Sequence, residues 1–331
     1  MKQNKTFTFN KTMLILIVTL FAMAFLGLFF GAFFDYQIDQ KLAGGAANFR
    51  NDHYLHTFWS LCSSVAGYVF MFITTFAATA LISLNSYYKN WKKPFQVFYW
   101  IIAVGISFAC IWWQAYDSII TNTYYTFNIT IPPHNGSEIV HDFIWESLLV
   151  AIGFFGIGIL VNFFVIKKTT YAPIFFKWAL FATFALIFAC VIVTIMKSQL
   201  HRERYFQLMI TGNTDNFKPW YSLLWDMNNA DDIGIYGRFS VGGMTSFPSG
   251  HTTWAMGVFT LAPLFYLLLK DKQKTLITLF SALFAFLLLI IFCRICGGYH
   301  YLSDIAMAIV VNTVPFVGVG YFVYCQPNKQ K

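Results

Sequence analysis

Residues 275–304 read TLITLFSALFAFLLLIIFCRICGGYHYLSD. The first part, 275–293, carries no charged residue and approaches the roughly 20 apolar residues that a helix needs to cross the hydrocarbon layer. It stops at Arg294, and His300 and Asp304 flank the opening of the next apolar run, 301–324. A charge beside such a run is expensive and calls for a purpose. One stretch thus predicts both the fold, membrane helices joined by short connections, and the place to look for chemistry.

The same pattern extends along the chain. Of 331 residues, 58% are hydrophobic and only 11% charged, whereas a soluble domain carries about a quarter charged residues. With 39 Phe, disorder is excluded as well, and no Gly-X-Y or heptad repeat points to a fibre. Eight apolar stretches of spanning length can be drawn, at 13–34, 57–84, 97–116, 143–166, 174–196, 252–269, 275–293 and 301–324. The predicted fold is all-α, a polytopic membrane helix bundle with about eight transmembrane helices. The first run is long and no small-x-small cleavage site follows it, so it reads as a retained anchor and not a signal peptide.

Charge then assigns the sides. Lys41, Arg50, Lys197, Arg202, Arg204, Lys218, Arg238 and Arg294 fall on one side of an eight-span chain; the other basic residues, with Asp271 as their only acid, fall on the opposite side. Basic residues in short loops mark the cytoplasm, so both termini are expected there, and the multi-pass chain is expected in the cell membrane. The net charge of +8 serves topology, and no nucleic-acid partner is called for. The extracytoplasmic loop 117–142 contains sequons at Asn128 and Asn135; others at Asn4 and Asn10 fall in the cytoplasmic tail, which shows how little the motif specifies. Trp220, Tyr221, Trp225 and Tyr236 in the longest outer loop suit the headgroup layer.

The six cysteines are too scattered for a disulfide-built fold. Cys62, Cys110, Cys190 and Cys325 lie in apolar runs as small hydrophobes. Cys293 and Cys296 make half of a zinc pattern, with no second pair to complete it.

Three outer-side clusters remain. Lys197 and Arg204 are seven apart and would share a face if the fifth span continued that far; two cations suit a multiply charged anion, the bland reading being side chains reaching towards headgroups. Pro248-Ser249-Gly250-His251 opens the sixth span, where free N–H groups favour an anion, although an ordinary capped helix would look the same. His300 and Asp304 lie four apart at the start of the last helix, hence on one face. A carboxylate so placed fixes the imidazole tautomer, or forms only a capping ion pair. Arg294 adds a planar fork suited to phosphate oxygens. Together the clusters supply charge neutralisation, a nucleophile and a proton donor for phosphoryl transfer.

These residues resemble the type 2 phosphatidic acid phosphatase superfamily, whose signature is K-x6-R-P, P-S-G-H and S-R-x5-H-x3-D. The chain has Lys197-x6-Arg204 followed by Tyr205 for proline, an intact Pro248–His251, and Cys293-Arg294-x5-His300-x3-Asp304 with cysteine for serine. Every ionisable position matches. The resemblance covers about 174–324 and implies a PAP2-like catalytic transmembrane domain over 141–331, preceded by an N-terminal transmembrane region over 1–140 with two extra helices.

It implies, further, that His300 attacks phosphorus, Asp304 orients it, and His251 protonates the leaving group. Lys197, Arg204, Arg294, Ser249 and Gly250 would hold the phosphate, with no metal or other cofactor. The expected activity is extracytoplasmic hydrolysis of a membrane lipid phosphate or pyrophosphate through a phosphohistidine. The alternatives are a phosphotransferase serving a sugar or lipid acceptor, and a non-catalytic lipid-phosphate transporter or scaffold.

Overall fold

In the computed structural model, the structure describes residues 11–44, 53–84, 144–200, 202–212, 214–222, 246–269 and 271–324, together with 93, 94, 97, 101, 105, 108, 109, 111, 112 and 115. Its long helices are α1 (Lys11–Leu42), α2 (His53–Ser83), α3 (Ile144–Phe164) and α4 (Ala172–Gln199). After a short α5 (Tyr205–Thr211) come α6 (Gly250–Met256), a 3-10 turn over Gly257–Thr260, α7 (Leu261–Leu269), α8 (Gln273–Cys296) and α9 (Leu302–Tyr324). Among the described residues, seven segments are long and apolar enough to cross a membrane, α6 through α7 counting as one. The protein is an all-α polytopic bundle. The sequons, Trp225, Tyr236, Cys110 and Cys325, and both termini lie outside the described residues.

The predicted third span, 97–116, also lies mostly outside them, but its neighbours bear on it. Asn162 near the end of α3 donates its side-chain N–H to the Thr79 hydroxyl near the end of α2. Ala151 and Met71, earlier in the two helices, belong to one buried cluster. The two helices therefore run in the same direction, so Leu84 and Ile144 lie at opposite ends of the pair, which is where the expected span between them would place them.

Between helices in lipid the hydrophobic effect gives little net attraction, so close backbone approach and buried polar contacts matter more. Both are present. Gly27 and Gly31 of α1 lie against α9, where a Cβ would stand 2.7 Å from the Ala306 Cβ and 2.8 Å from the Ser303 Cβ, respectively. Only glycine permits this approach. Asn312 of α9 donates to the Thr253 hydroxyl of α6, and the Trp178 indole of α4 donates to the Thr260 carbonyl. The outer faces remain apolar, with Phe25, Phe33 and Leu149 each more than 60% exposed.

The first helix is longer than the sequence pattern suggested. No proline or glycine interrupts 32–42, so α1 runs past the predicted end at 34 and carries Asp35 and Asp39 inward; both are buried. One end of the bundle thus gathers the last turns of α1, α4 and α8 and the first turns of α6 and α9.

Candidate active site

Lys197 lies in the last turn of α4. The helix stops at Gln199 because Leu200 turns into extended backbone and buries beside Phe247. Arg202 then pairs through its carbonyl with the Ser246 N–H, 3.0 Å away, and Arg204 is the N-cap of α5. The expectation that Lys197 and Arg204 share one helical face is corrected: the helix ends at Gln199, before Arg204 is reached. The two cations nevertheless act on the same groups, His251 and His300. The Cε of Lys197 lies 3.7 Å from the position a Cβ on Gly250 would occupy.

The third cation, Arg294, ends α8 and is 2% exposed. Its guanidinium lies over the Tyr299 ring, 4.0 Å from the centroid. The tight connection 297–301 is fixed by the Tyr299 N–H, which donates to the Arg294 carbonyl. Neighbouring Cys293 and Cys296 are buried free thiols. Among the described residues no group of three His, Cys, Asp or Glu is arranged to hold a metal.

His300 precedes α9 by two residues and so does not share a helical face with Asp304, a further correction. The contact forms nonetheless: its Nδ1 lies 3.6 Å from Asp304 Oδ2 and 3.4 Å from the Ser246 hydroxyl. With Nδ1 directed at the carboxylate, Nε2 is the nitrogen left for chemistry. Burial pushes the His300 imidazole well below the ordinary histidine range, against the pull of the Asp304 hydrogen bond; Arg294, Arg204 and Lys197 push in the direction of burial. These surroundings favour the neutral ring.

Asp304 is fully buried and densely bonded. Oδ2 accepts the Ser246 hydroxyl and, at 2.9 Å, the Tyr301 N–H. Oδ1 accepts Arg202 Nη1 at 2.5 Å. Arg202, 1% exposed, also donates through Nη2 to Asp35 of α1 at 2.9 Å and through Nε to the Lys218 carbonyl at 2.9 Å. Asp304, Arg202 and Asp35 thus form a continuous chain of charges.

Ser249 caps α6 by accepting the Thr252 N–H and hydroxyl. Its own N–H donates to the Asp304 carbonyl, which joins the second cluster to the third and removes that N–H from any role towards an anion. His251, in the first turn of α6, packs its ring 4.4 Å from that of Trp254. It stands within electrostatic reach of Arg294, His300, Arg204 and Lys197.

All eight residues singled out in the sequence therefore lie at one end of the bundle. Three partners were missed: Ser246, Arg202 and Asp35. Arg202 sits inside the six-residue spacer between Lys197 and Arg204. For Asp35 the signal was an acid four residues before another acid, in a helix without a breaker. Trp220 lies against α1, its indole donating to the Leu28 carbonyl.

Residues 178–329 match the family model described as PAP2 superfamily. No curated protein and no solved structure matches the chain.

Proposed function

We propose that this multi-pass protein, whose residues 178–329 match the PAP2 superfamily model, hydrolyses a lipid phosphate or pyrophosphate at the extracytoplasmic face. The observation that carries the reading is His300, buried with Nδ1 against Asp304 and Ser246, at the bundle end that also holds Lys197, Arg204, Arg294 and His251.

The chemistry follows from the groups available. The Nε2 lone pair of His300 attacks phosphorus as the bond to the leaving oxygen breaks, and His251 gives that oxygen its proton. Asp304 stabilises the positive charge that develops on the ring. Lys197, Arg204 and Arg294 face the nonbridging oxygens, where preorganised charge is worth most in a dry site. Gly250 N–H and the hydroxyl proton of Ser249 complete the cradle. His251, now neutral, takes a proton from water; the water oxygen bonds phosphorus, the P–N bond breaks and phosphate leaves.

Sidedness is supported by the basic residues of the opposite loops, and a lipid substrate by the position of the site at the end of membrane helices. The test is phosphate release by purified protein from a panel of phosphatidic acid, phosphatidylglycerol phosphate and a polyprenyl pyrophosphate, without added acceptor. Release by wild type and none by His300→Ala is expected. Turnover only with a sugar or lipid acceptor would make the protein a phosphotransferase instead.

A further inference from the structure

We infer that Asp35 and Arg202 are positioning residues for the His300–Asp304 pair, which makes α1 part of the catalytic machinery although it lies outside the segment that matches the family. This rests on the proposed phosphatase reading.

A carboxylate that orients a nucleophile must itself be held. Asp304 uses Oδ2 for Ser246, for the Tyr301 N–H and towards His300, and gives Oδ1 to Arg202. Rotation of the carboxylate would break the contact of Oδ1 with Arg202 together with those of Oδ2. Arg202 in turn is fixed on every side. Nη1 also donates to the Ser303 hydroxyl at 2.8 Å, Nη2 to Asp35, and Nε to the Lys218 carbonyl; its plane lies 4.1 Å from the Tyr301 ring centroid. A planar fork with directed donors can hold this geometry, whereas an ammonium cannot.

Asp35 closes the chain by accepting the Ser303 N–H at 3.0 Å and the Ser303 hydroxyl. A charged group so deep in a membrane helix is costly unless paired, and such groups mark function.

The arrangement also sets charge. His300 faces Asp304 of α9, Arg294 of α8, Lys197 of α4, Arg204 before α5 and His251 of α6. Behind Asp304 stand Arg202 and, from α1, Asp35 and Asp39. Removing the negative charge of Asp35 makes the field at His300 more positive and disfavours imidazolium. Removing the positive charge of Arg202 does the opposite. A purely structural role predicts no such opposition.

The experiment compares Asp35→Asn, Asp35→Glu, Arg202→Met and His300→Ala as full-length protein in detergent, using whichever lipid of the panel wild type turns over fastest. For Asp35→Asn we expect kcat to fall by about 100-fold or less, the scale of a small misplacement, with KM nearly unchanged and the acidic limb of the pH profile moved to lower pH. Asp35→Glu restores most of kcat, and Arg202→Met moves the limb to higher pH. Should Arg202→Met not be recovered folded, Arg202→Lys replaces it; charge is kept and the fork is lost, so the limb stays and kcat falls. Wild-type kcat and an unmoved limb in Asp35→Asn, with His300→Ala inactive, would overturn the positioning role and leave the phosphatase reading intact. An active His300→Ala would instead overturn the reading itself.

Discussion

Asp35, on the first helix, accepts both the backbone N–H and the hydroxyl of Ser303, the residue immediately before Asp304. Segments 268 positions apart in sequence are thus joined at the site. This contact depends on how closely α1 approaches α9, which Gly27 and Gly31 permit.

Enlarging either glycine should therefore damage both stability and activity. For Gly31→Leu, overpacking is expected to cost about 1–3 kcal/mol, seen as a lower melting temperature in detergent. Phosphate release should fall further than the folded fraction does, because Asp35 is displaced. Ala at Gly318, where a Cβ meets nothing within 4 Å, is the comparison and should leave both unchanged.

Arg202→Ala leaves two buried carboxylates without their cation. Breaking such a pair costs about 3–5 kcal/mol, so this variant should unfold at much lower denaturant than wild type. Asp35→Asn, which leaves Arg202 paired with Asp304, should lose less. Equal stability of the two variants would contradict the charge chain.

Hydropathy made most spans legible, because a membrane helix must satisfy its own backbone and therefore announces itself as an apolar run. The three motifs likewise pointed to the candidate site, since each places its ionisable residues at a helix end. Asp35 was missed for a physical reason. An apolar window ends at the first acid, but the helix does not: it continues until the backbone is broken, here at Leu42. Arg202 was hidden because the spacing Lys197-x6-Arg204 counts the residues between without asking where they point. The predicted shared face failed because α4 stops at Gln199, where Leu200 turns into extended backbone and buries beside Phe247.

The pH profile offers a separate check. In the proposed mechanism His300 must be neutral to attack, and burial with three nearby cations lowers its pKa. The acidic limb of kcat/KM should lie below the ordinary histidine value of about 6.5, with activity retained as pH falls through that value. Arg294→Gln removes one of these cations, so its limb should move up. A wild-type limb at or above the ordinary value would count against the neutral nucleophile.

Fixed cations in place of a metal predict that EDTA leaves turnover unchanged. Vanadate, whose five-coordinate geometry resembles the phosphoryl transition state, should inhibit strongly, as transition-state analogues do. Turnover that stops with EDTA and returns with magnesium would contradict this assignment.

Cys293 occupies the position where the family signature has serine. It is buried, with its side chain hydrogen-bonded to Cys62 of α2. Cys293→Ser changes one atom and should fold normally, with phosphate release within a few-fold of wild type. A large loss would give the thiol a role that its buried setting does not suggest.

The most direct test is to quench the reaction early with phosphorus-labelled lipid and map the labelled peptide. The account predicts an acid-labile, alkali-stable phosphoryl group on His300, absent in His300→Ala and accumulating when His251 is replaced by Asn and the substrate has a good leaving group. Label on another residue, or undiminished phosphate release by His300→Ala, would contradict it.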